Sequence, residues 1–264
     1  MYRSSFKHIL CLLRFTSRGS AAALSHLCYE KLPVGAKHDV EALFLKLCAD
    51  ETPFVRRLAA QSLVKFVTVI ESADKLTQFI DAFKKFAQDD QDSIRIQVVP
   101  IGIALLRNRQ AKTLPDQVLP TVLQIANDRS WRVRWSLTNH LHLILQYACD
   151  PNTEQSLVTV YDNLLNDSEP EVRAASASQL NLVCRHFQKN VILNKLVPTC
   201  QRMVSDPSEF VRAFFALEIN HLALYLGKES TVQLVLPMLL HLLRDETSEV
   251  SCSFPKDMDF DLCL

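Results

Sequence analysis

The stretch Asp50-Glu-Thr-Pro-Phe-Val-Arg56 returns in outline as Asp89-Asp-Gln-Asp-Ser-Ile-Arg95, Asp128-Arg-Ser-Trp-Arg-Val-Arg134, Asp167-Ser-Glu-Pro-Glu-Val-Arg173 and Asp206-Pro-Ser-Glu-Phe-Val-Arg212, each copy 39 residues after the last. A sixth copy begins at Asp245 and Val250 but carries Ser251 where Arg is expected. Self-similarity at one period is the mark of a repeat architecture, in which each copy is one supersecondary unit stacked on its neighbours.

Apolar residues keep the same register. Six residues before each Asp lie Phe44, Phe83, Val122, Tyr161, Cys200 and Leu239, and three before it lie Leu47, Phe86, Ile125, Leu164, Met203 and Leu242. Sixteen after it come Phe66, Leu105, Ile144, Val183 and Leu222. Spacings of three and four are helical, so each period reads as helix A, a short turn at the Asp, and helix B. Neither helix buries its stripe alone, and stacking the pairs makes one continuous core. The expected fold class is therefore all-α, a helical-repeat superhelix of about six repeats. The repeats run over residues 14–250, with divergent segments at 1–13 and 251–264.

The turn residues carry their own chemistry. An Asp opening the turn is expected to cap helix B by accepting from its free N–H groups. The Arg six residues later is expected to reach the Asp of an adjacent turn in a charge-assisted pair. Asp50, Asp89, Asp128, Asp167, Asp206 and Asp245 with Arg95, Arg134, Arg173 and Arg212 are thus read as a structural ladder. Pro120, Pro198 and Pro237 sit eight residues before their Asp, where proline bends or interrupts helix A.

Composition narrows the function. Hydrophobic residues at 48% support a substantial core, and Lys plus Arg equals Asp plus Glu at 29 each, so no global positive field draws the chain to nucleic acid or an anionic membrane. Four glycines are too few for a turn-rich β fold or a phosphate-cradling loop. Cys11, Cys28, Cys48, Cys149, Cys184, Cys200, Cys252 and Cys263 show no CxxC pair and no zinc spacing, and read as reduced thiols of an intracellular protein. Residues 1–29 carry four cations and no acid, a presequence-like bias, but they run into the repeat. Their longest apolar run, Ile9–Leu13, is too short to span a bilayer.

A period of this length with an Asp turn and a Val-Arg start to helix B resembles the HEAT-repeat family. Within it, Asp50-Glu-Thr-Pro-Phe-Val-Arg-Arg57, Asp90-Gln-Asp-Ser-Ile-Arg95, Asp128-Arg-Ser-Trp-Arg-Val-Arg134 and Glu171-Val-Arg-Ala-Ala-Ser176, in this order and register, resemble the middle of the scaffold (A) subunits of protein phosphatase type 2A. Arg14-Phe-Thr-Ser-Arg18 and Cys28-Tyr29 resemble the repeat preceding them. The resemblance implies a non-enzymatic scaffold without cofactors, in the cytoplasm and also the nucleus, whose turns hold exchangeable regulatory (B-type) subunits. It implies partner contacts at Pro53, Arg56 and Arg57 on one turn and at Trp131 and Arg132 two turns later. The repeats that hold the catalytic subunit in that family have no counterpart here, so no site for it is expected.

The chemistry of the residues points the same way. A Trp flanked by arginines on a turn has the composition of an interface hot spot, whereas Trp135, one residue after the Arg, is expected to pack inside the stack. A generic HEAT adaptor of transport or chromosome organisation is the competing function. A metal-dependent hydroxylase on the same scaffold is a third, but no His-Glu dipeptide occurs, and His140 and His142, two apart on a helix, face different ways. GxSxG, Walker A and GxGxxG motifs are missing. From Ser251 onward, Pro255, Asp257, Asp259 and Asp261 abandon the apolar stripe just where the last helix B is due.

Overall fold

A computed structural model describes residues 14–70, 72–108, 114–148 and 150–251. The segments read as divergent, 1–13 and all but Ser251 of 251–264, lie outside the described residues, as do Cys11, Cys149, Cys252 and Cys263. The described residues are helical, with no strand among them. They divide into two compact units, Met1–Ile125 and Ala126–Leu264, a division falling within the stretch read as one array.

In unit 1 a lone B helix, α1 (Phe15–Tyr29), precedes the hairpin of α2 (Val34–Cys48) and α3 (Pro53–Phe66). Next come α4 (Ala73–Ala87), a B helix split into α5 (Asp92–Arg95) and α6 (Val98–Arg107), and α7 (Leu114–Gln124). The split falls before Pro100, which has no N–H to donate to a carbonyl one turn back and crowds that carbonyl. B helices lie side by side, α1 on α3 and α3 on α6. A Cβ on Gly19 would come within 2.8 Å of Leu58 Cδ1, and one on Gly102 within 2.5 Å of Val122 Cγ2, so glycine sets both helix approaches.

In unit 2 the order is α8 (Trp131–Ala148), α9 (Glu154–Leu165), a B helix split into α10 (Pro170–Ala177) and α11 (Leu180–Cys184), then α12 (Lys189–Val191) and α13 (Val197–Met203). The last complete B helix runs as α14 (Glu209–Glu218) and α15 (Leu222–Leu226), and the last A helix as α16 (Lys228–Ser230) and α17 (Leu236–Leu243), followed by the start of a B helix, α18 (Ser248–Ser251). α10 packs between α8 and α14, and α14 meets α18.

The prolines of helix A act in two ways. Ahead of Pro198 and Pro237 the chain widens into π-helical turns, Ile192–Leu196 and Thr231–Val235, where Val197 N–H reaches back to Ile192 O and Leu236 N–H to Thr231 O. A wide turn accommodates the bond that proline removes. Pro120 sits inside α7 with no such widening.

The repeated apolar columns form the core. None of the residues six or three before the Asp, or sixteen after it, is more than 3% exposed, and neither is any Val or Ile five after it. Unit 1 is aromatic there: Phe66 stacks on Phe44 at 4.5 Å and meets Tyr29 at 5.0 Å and Phe79 at 5.4 Å. At the same places unit 2 has Tyr161, Val183, Cys200 and Met203. Burial pushes the Cys200 thiol up to about 12, and the buried thiols of Cys48 and Cys184 also rise, so all three stay protonated and unreactive.

Candidate functional site: the Asp-Arg turns

Each turn starts from one Asp whose Oδ1 accepts the backbone N–H two residues on: Thr52, Gln91, Ser130, Glu169, Ser208 and Thr247. Those donors lie one position short of the expected cap. At four turns the N–H belongs to the N-cap residue itself, Thr52, Gln91, Glu169 or Ser208, and no side chain caps the N2 or N3 amide. The Asp closes an Asx turn ahead of the helix, which leaves one carboxylate oxygen and its whole outer edge for another partner.

That partner is an arginine from the preceding turn. Arg56 donates Nε to Asp89 Oδ2 at 2.6 Å and Nη2 to Oδ1 at 3.1 Å. Arg134 forks onto Asp167 at 2.6 and 2.7 Å, Arg173 onto Asp206 at 2.7 and 2.9 Å, and Arg212 onto Asp245 at 2.6 and 3.0 Å. The remaining nitrogen reaches back: Nη1 of Arg56, Arg134, Arg173 and Arg212 donates to the carbonyl of Asp50, Asp128, Asp167 and Asp206 at 2.7 to 2.8 Å. Each guanidinium thus staples two successive turns, and its planar fork suits the bidentate geometry. Buried Arg95 makes the same backward bonds to Asp89 O and Asp90 O.

One rung escaped the sequence pattern. Arg18 forks onto Asp50 at 2.7 and 2.9 Å, although its own turn has no Asp in register. It stands near the start of α1, and only the resemblance of Arg14–Arg18 to a preceding repeat pointed to it. Burial raises the carboxyls of Asp50, Asp89 and Asp167, but the arginine hydrogen bonds outweigh it and hold all three below the usual range. Arg212 holds Asp245 lower still, at about 2.

On this frame stand the residues singled out for partner contact. Pro53 opens α3 and is exposed, as is Arg57, whose guanidinium lies 5.7 Å from the ring of half-exposed Phe54. Phe54 in turn meets Phe15 edge-on at 5.8 Å. Arg56, read as a contact, has its guanidinium in the ladder, and its side chain is 19% exposed. In unit 2 exposed Arg132 lies 4.8 Å from the ring of half-buried Trp131. Two turns therefore present a cation beside an aromatic face.

Trp135 departs from expectation: it is 44% exposed, because its place on α8 points away from the stripe of Val133, Leu137 and Leu141 that enters the core. Phe210, four residues after Asp206 as Phe54 is after Asp50, is 66% exposed. Sequence reading missed both phenylalanines, and their shared register was the available signal. His140 and His142 are both half-buried, and no group of three metal-ligating side chains occurs among the described residues.

Comparison with known proteins matches stretches that hold the Asp50, Asp167 and Asp206 turns. A family described as PPP2R1A-like HEAT repeat matches residues 151–226, and the HEAT repeat family matches residues 42–70. In Schizosaccharomyces pombe, the regulatory (A) subunit of protein phosphatase PP2A is 33% identical over 123 residues, which is 46% of this chain and 21% of that protein. The chain carries HEAT repeats and over part of its length is similar to PP2A regulatory (A) subunits.

The PP2A 65 kDa regulatory subunit of Drosophila melanogaster is 48% identical over 58 residues, 22% of this chain and 10% of that protein. The chain thus spans about a fifth or less of the length of these curated relatives. Among solved structures, Cex1p matches with a TM-score of 0.66 at 19% identity, covering 88% of this chain and 45% of that one, which supports the helical-repeat fold alone.

Proposed function

We propose that the chain is a non-catalytic docking subunit of a protein phosphatase 2A complex, in the cytoplasm and nucleus, that holds regulatory (B-type) subunits on its Asp-Arg turns. The observation that carries this reading is the pairing of Arg57 with Phe54 and of Arg132 with Trp131, exposed cations beside aromatic faces on turns fixed by the ladder. Aromatic and arginine side chains dominate interface energetics. Anchoring them on turns that are already rigid lowers the ordering cost of binding. The relatives named above are regulatory subunits, which supports the same partner class.

Calorimetric titration with purified regulatory subunits tests the reading. Trp131→Ala is expected to weaken binding by about 2 kcal/mol, and Arg57→Ala by about 1 kcal/mol, with helicity and melting retained. If no B-type subunit binds, or if both variants bind like the parent, the docking assignment fails. Collapse of the fold in Trp131→Ala would make that side chain core.

A further inference from the structure

One B helix of unit 2 turns large apolar side chains to solvent where its neighbour does not. Phe210, Phe214 and Leu217 are all exposed, and they stand at i, i+4 and i+7 of α14, a spacing that puts three side chains on one face of a helix. The core stripe of the same helix, Val211, Phe215 and Ala216, lies round the other side and is fully buried. At the three equivalent places the adjoining α10 and its C-cap carry Glu171, Ala175 and Ser178, an acid and two small side chains. On α3 the places of Phe210 and Phe214 belong to Phe54 and Leu58, which face the preceding B helix: a Cβ on Gly19 would come within 2.9 and 2.8 Å of them. By register, Phe210 and Phe214 therefore border the small side chains of α10. An apolar row beside a strip of small side chains is the surface into which an amphipathic helix packs.

The charge around this row has one sign. Asp167, Asp206 and Asp245 are matched by Arg134, Arg173 and Arg212. That leaves Glu169, Glu171, Glu209, Glu246 and Glu249, with no Lys or Arg among residues 168–171, 207–210 and 246–249. Glu171, Glu209 and Glu249 are exposed in the first turns of α10, α14 and α18, which pack side by side. One helix further back the sign reverses, with exposed Arg129 and Arg132 at the start of α8. The acidic surface thus ends at α10.

We propose that the outer face of α14, with the first turns of α10 and α18 beside it, docks a basic amphipathic helix of a partner protein. The apolar side of that helix rests on Phe210, Phe214 and Leu217, and its Lys or Arg side chains reach Glu171, Glu209 and Glu249. Complementary charge selects this occupant over two others. A second copy of the chain would set the same glutamates against each other, and the chain's own residues 252–264 carry Asp257, Asp259 and Asp261 against the single Lys256. The face is distinct from the cation-aromatic pairs of Arg57 and Arg132 and does not rest on the phosphatase reading.

Anisotropy titrations of the full chain with a fluorescein-labelled Leu/Lys amphipathic helical peptide, and with its Leu/Glu counterpart, test the proposal. The Leu/Lys peptide is expected to bind about tenfold more tightly or better, an advantage that shrinks as salt is added. Phe210→Ser, at an exposed position, should weaken its binding about tenfold with the melting temperature kept. Glu171→Lys should weaken it too and reduce its salt dependence. A change in melting temperature alone would mean that the glutamates serve only the helix dipoles, and would overturn the choice of a basic partner. The proposal also fails if the two peptides bind alike, if neither binds, or if Phe210→Ser binds like the parent. A dimer in sedimentation that Phe210→Ser dissolves would overturn it by giving the face to a second copy. Tighter peptide binding on combining Asp257→Asn, Asp259→Asn and Asp261→Asn would overturn it by giving the face to residues 252–264.

Discussion

The two units fill the same positions with opposite chemistry. Twelve and fourteen residues after the turn Asp, unit 1 has Ser62 and Val64 in one repeat and Ile101 and Ile103 in the next, whereas unit 2 has His140 and His142, Gln179 and Asn181, and Glu218 and Asn220. The centres differ too. Unit 1 stacks Phe44, Phe66, Phe79 and Tyr29 around one buried carboxylate, Glu41, which accepts from Tyr29 Oη at 2.6 Å and Lys75 Nζ at 2.7 Å. Unit 2 packs aliphatic side chains and thiols, with Tyr161 bonded to Ser176 O at 2.7 Å. A repeat needs its apolar columns and its Asp-Arg turn. The rest of helix B is left open to variation, and unit 2 has used that freedom for polar groups.

The largest expected effect breaks the aromatic centre. Phe66→Ala removes a ring with no exposed surface and three ring neighbours, a loss of about 3–5 kcal/mol. Val183→Ala, at the same register in unit 2, removes less apolar volume and should cost about 1–3 kcal/mol. Both tryptophans, Trp131 and Trp135, lie in unit 2, so their fluorescence follows that unit while far-ultraviolet dichroism follows both. Urea melts of Phe66→Ala should shift the dichroism transition by more than the fluorescence one. Equal shifts of both probes would mean that the two units unfold as one.

Next in size is the ladder. Arg173→Ala leaves Asp206 with only the Ser208 N–H and withdraws a donor from Asp167 O, for an expected loss of about 1–3 kcal/mol. Arg56→Ala, the equivalent in unit 1, should cost a similar amount. A loss near zero in either urea melt would place the forks among ordinary surface pairs.

How much of this was readable follows from what repeats. The period, the apolar columns and the pairing of Arg134, Arg173 and Arg212 with an adjacent turn were legible because each recurs at one spacing, and recurrence separates signal from local accident; the forward direction of the reach, and the place of Arg56 in it, came from the structure. Arg18 was hidden because its turn lacks the marker Asp. The one-residue error in the cap arose because an Asp can serve an N-cap amide in an Asx turn as readily as a helix amide, and spacing alone does not separate the two. The exposure of Trp135 was misjudged because a place inside helix B does not by itself set the face, and its helical phase turns it outward. The polar row of unit 2 does not recur in unit 1, so periodicity could not reveal it.

Acid should separate the units more gently. Glu41, Asp50 and Asp89 in unit 1 and Asp167 and Asp245 in unit 2 all titrate below the usual carboxylate range, Glu41 because bonds from Lys75 and Tyr29 outweigh its burial. A depressed carboxyl stabilises the fold above its unfolded value, and that stability is lost as pH falls through the folded one, towards about 2 for Asp245. His142 and His186 are also depressed, but as bases they bind protons more readily when unfolded, so unit 2 should begin to weaken just below the ordinary value of 6.5. Fluorescence-detected urea midpoints should fall between pH 7 and 5. A flat profile there would remove these histidines from the stability of unit 2.

The smallest effect asks whether the polar row serves the fold at all. Gln179→Ile installs the side chain that unit 1 carries at the same register, Ile101, and removes a buried oxygen that lacks a partner. Replacing an unsatisfied polar group by an apolar one of similar size is neutral or stabilising, here by about 0–1 kcal/mol. A rise in the fluorescence-detected midpoint would show that the fold of unit 2 does not need this amide. A clear loss of stability would mean that Gln179 is held by contacts the fold needs, at the break between α10 and α11, and the polar row would then belong to the architecture of unit 2.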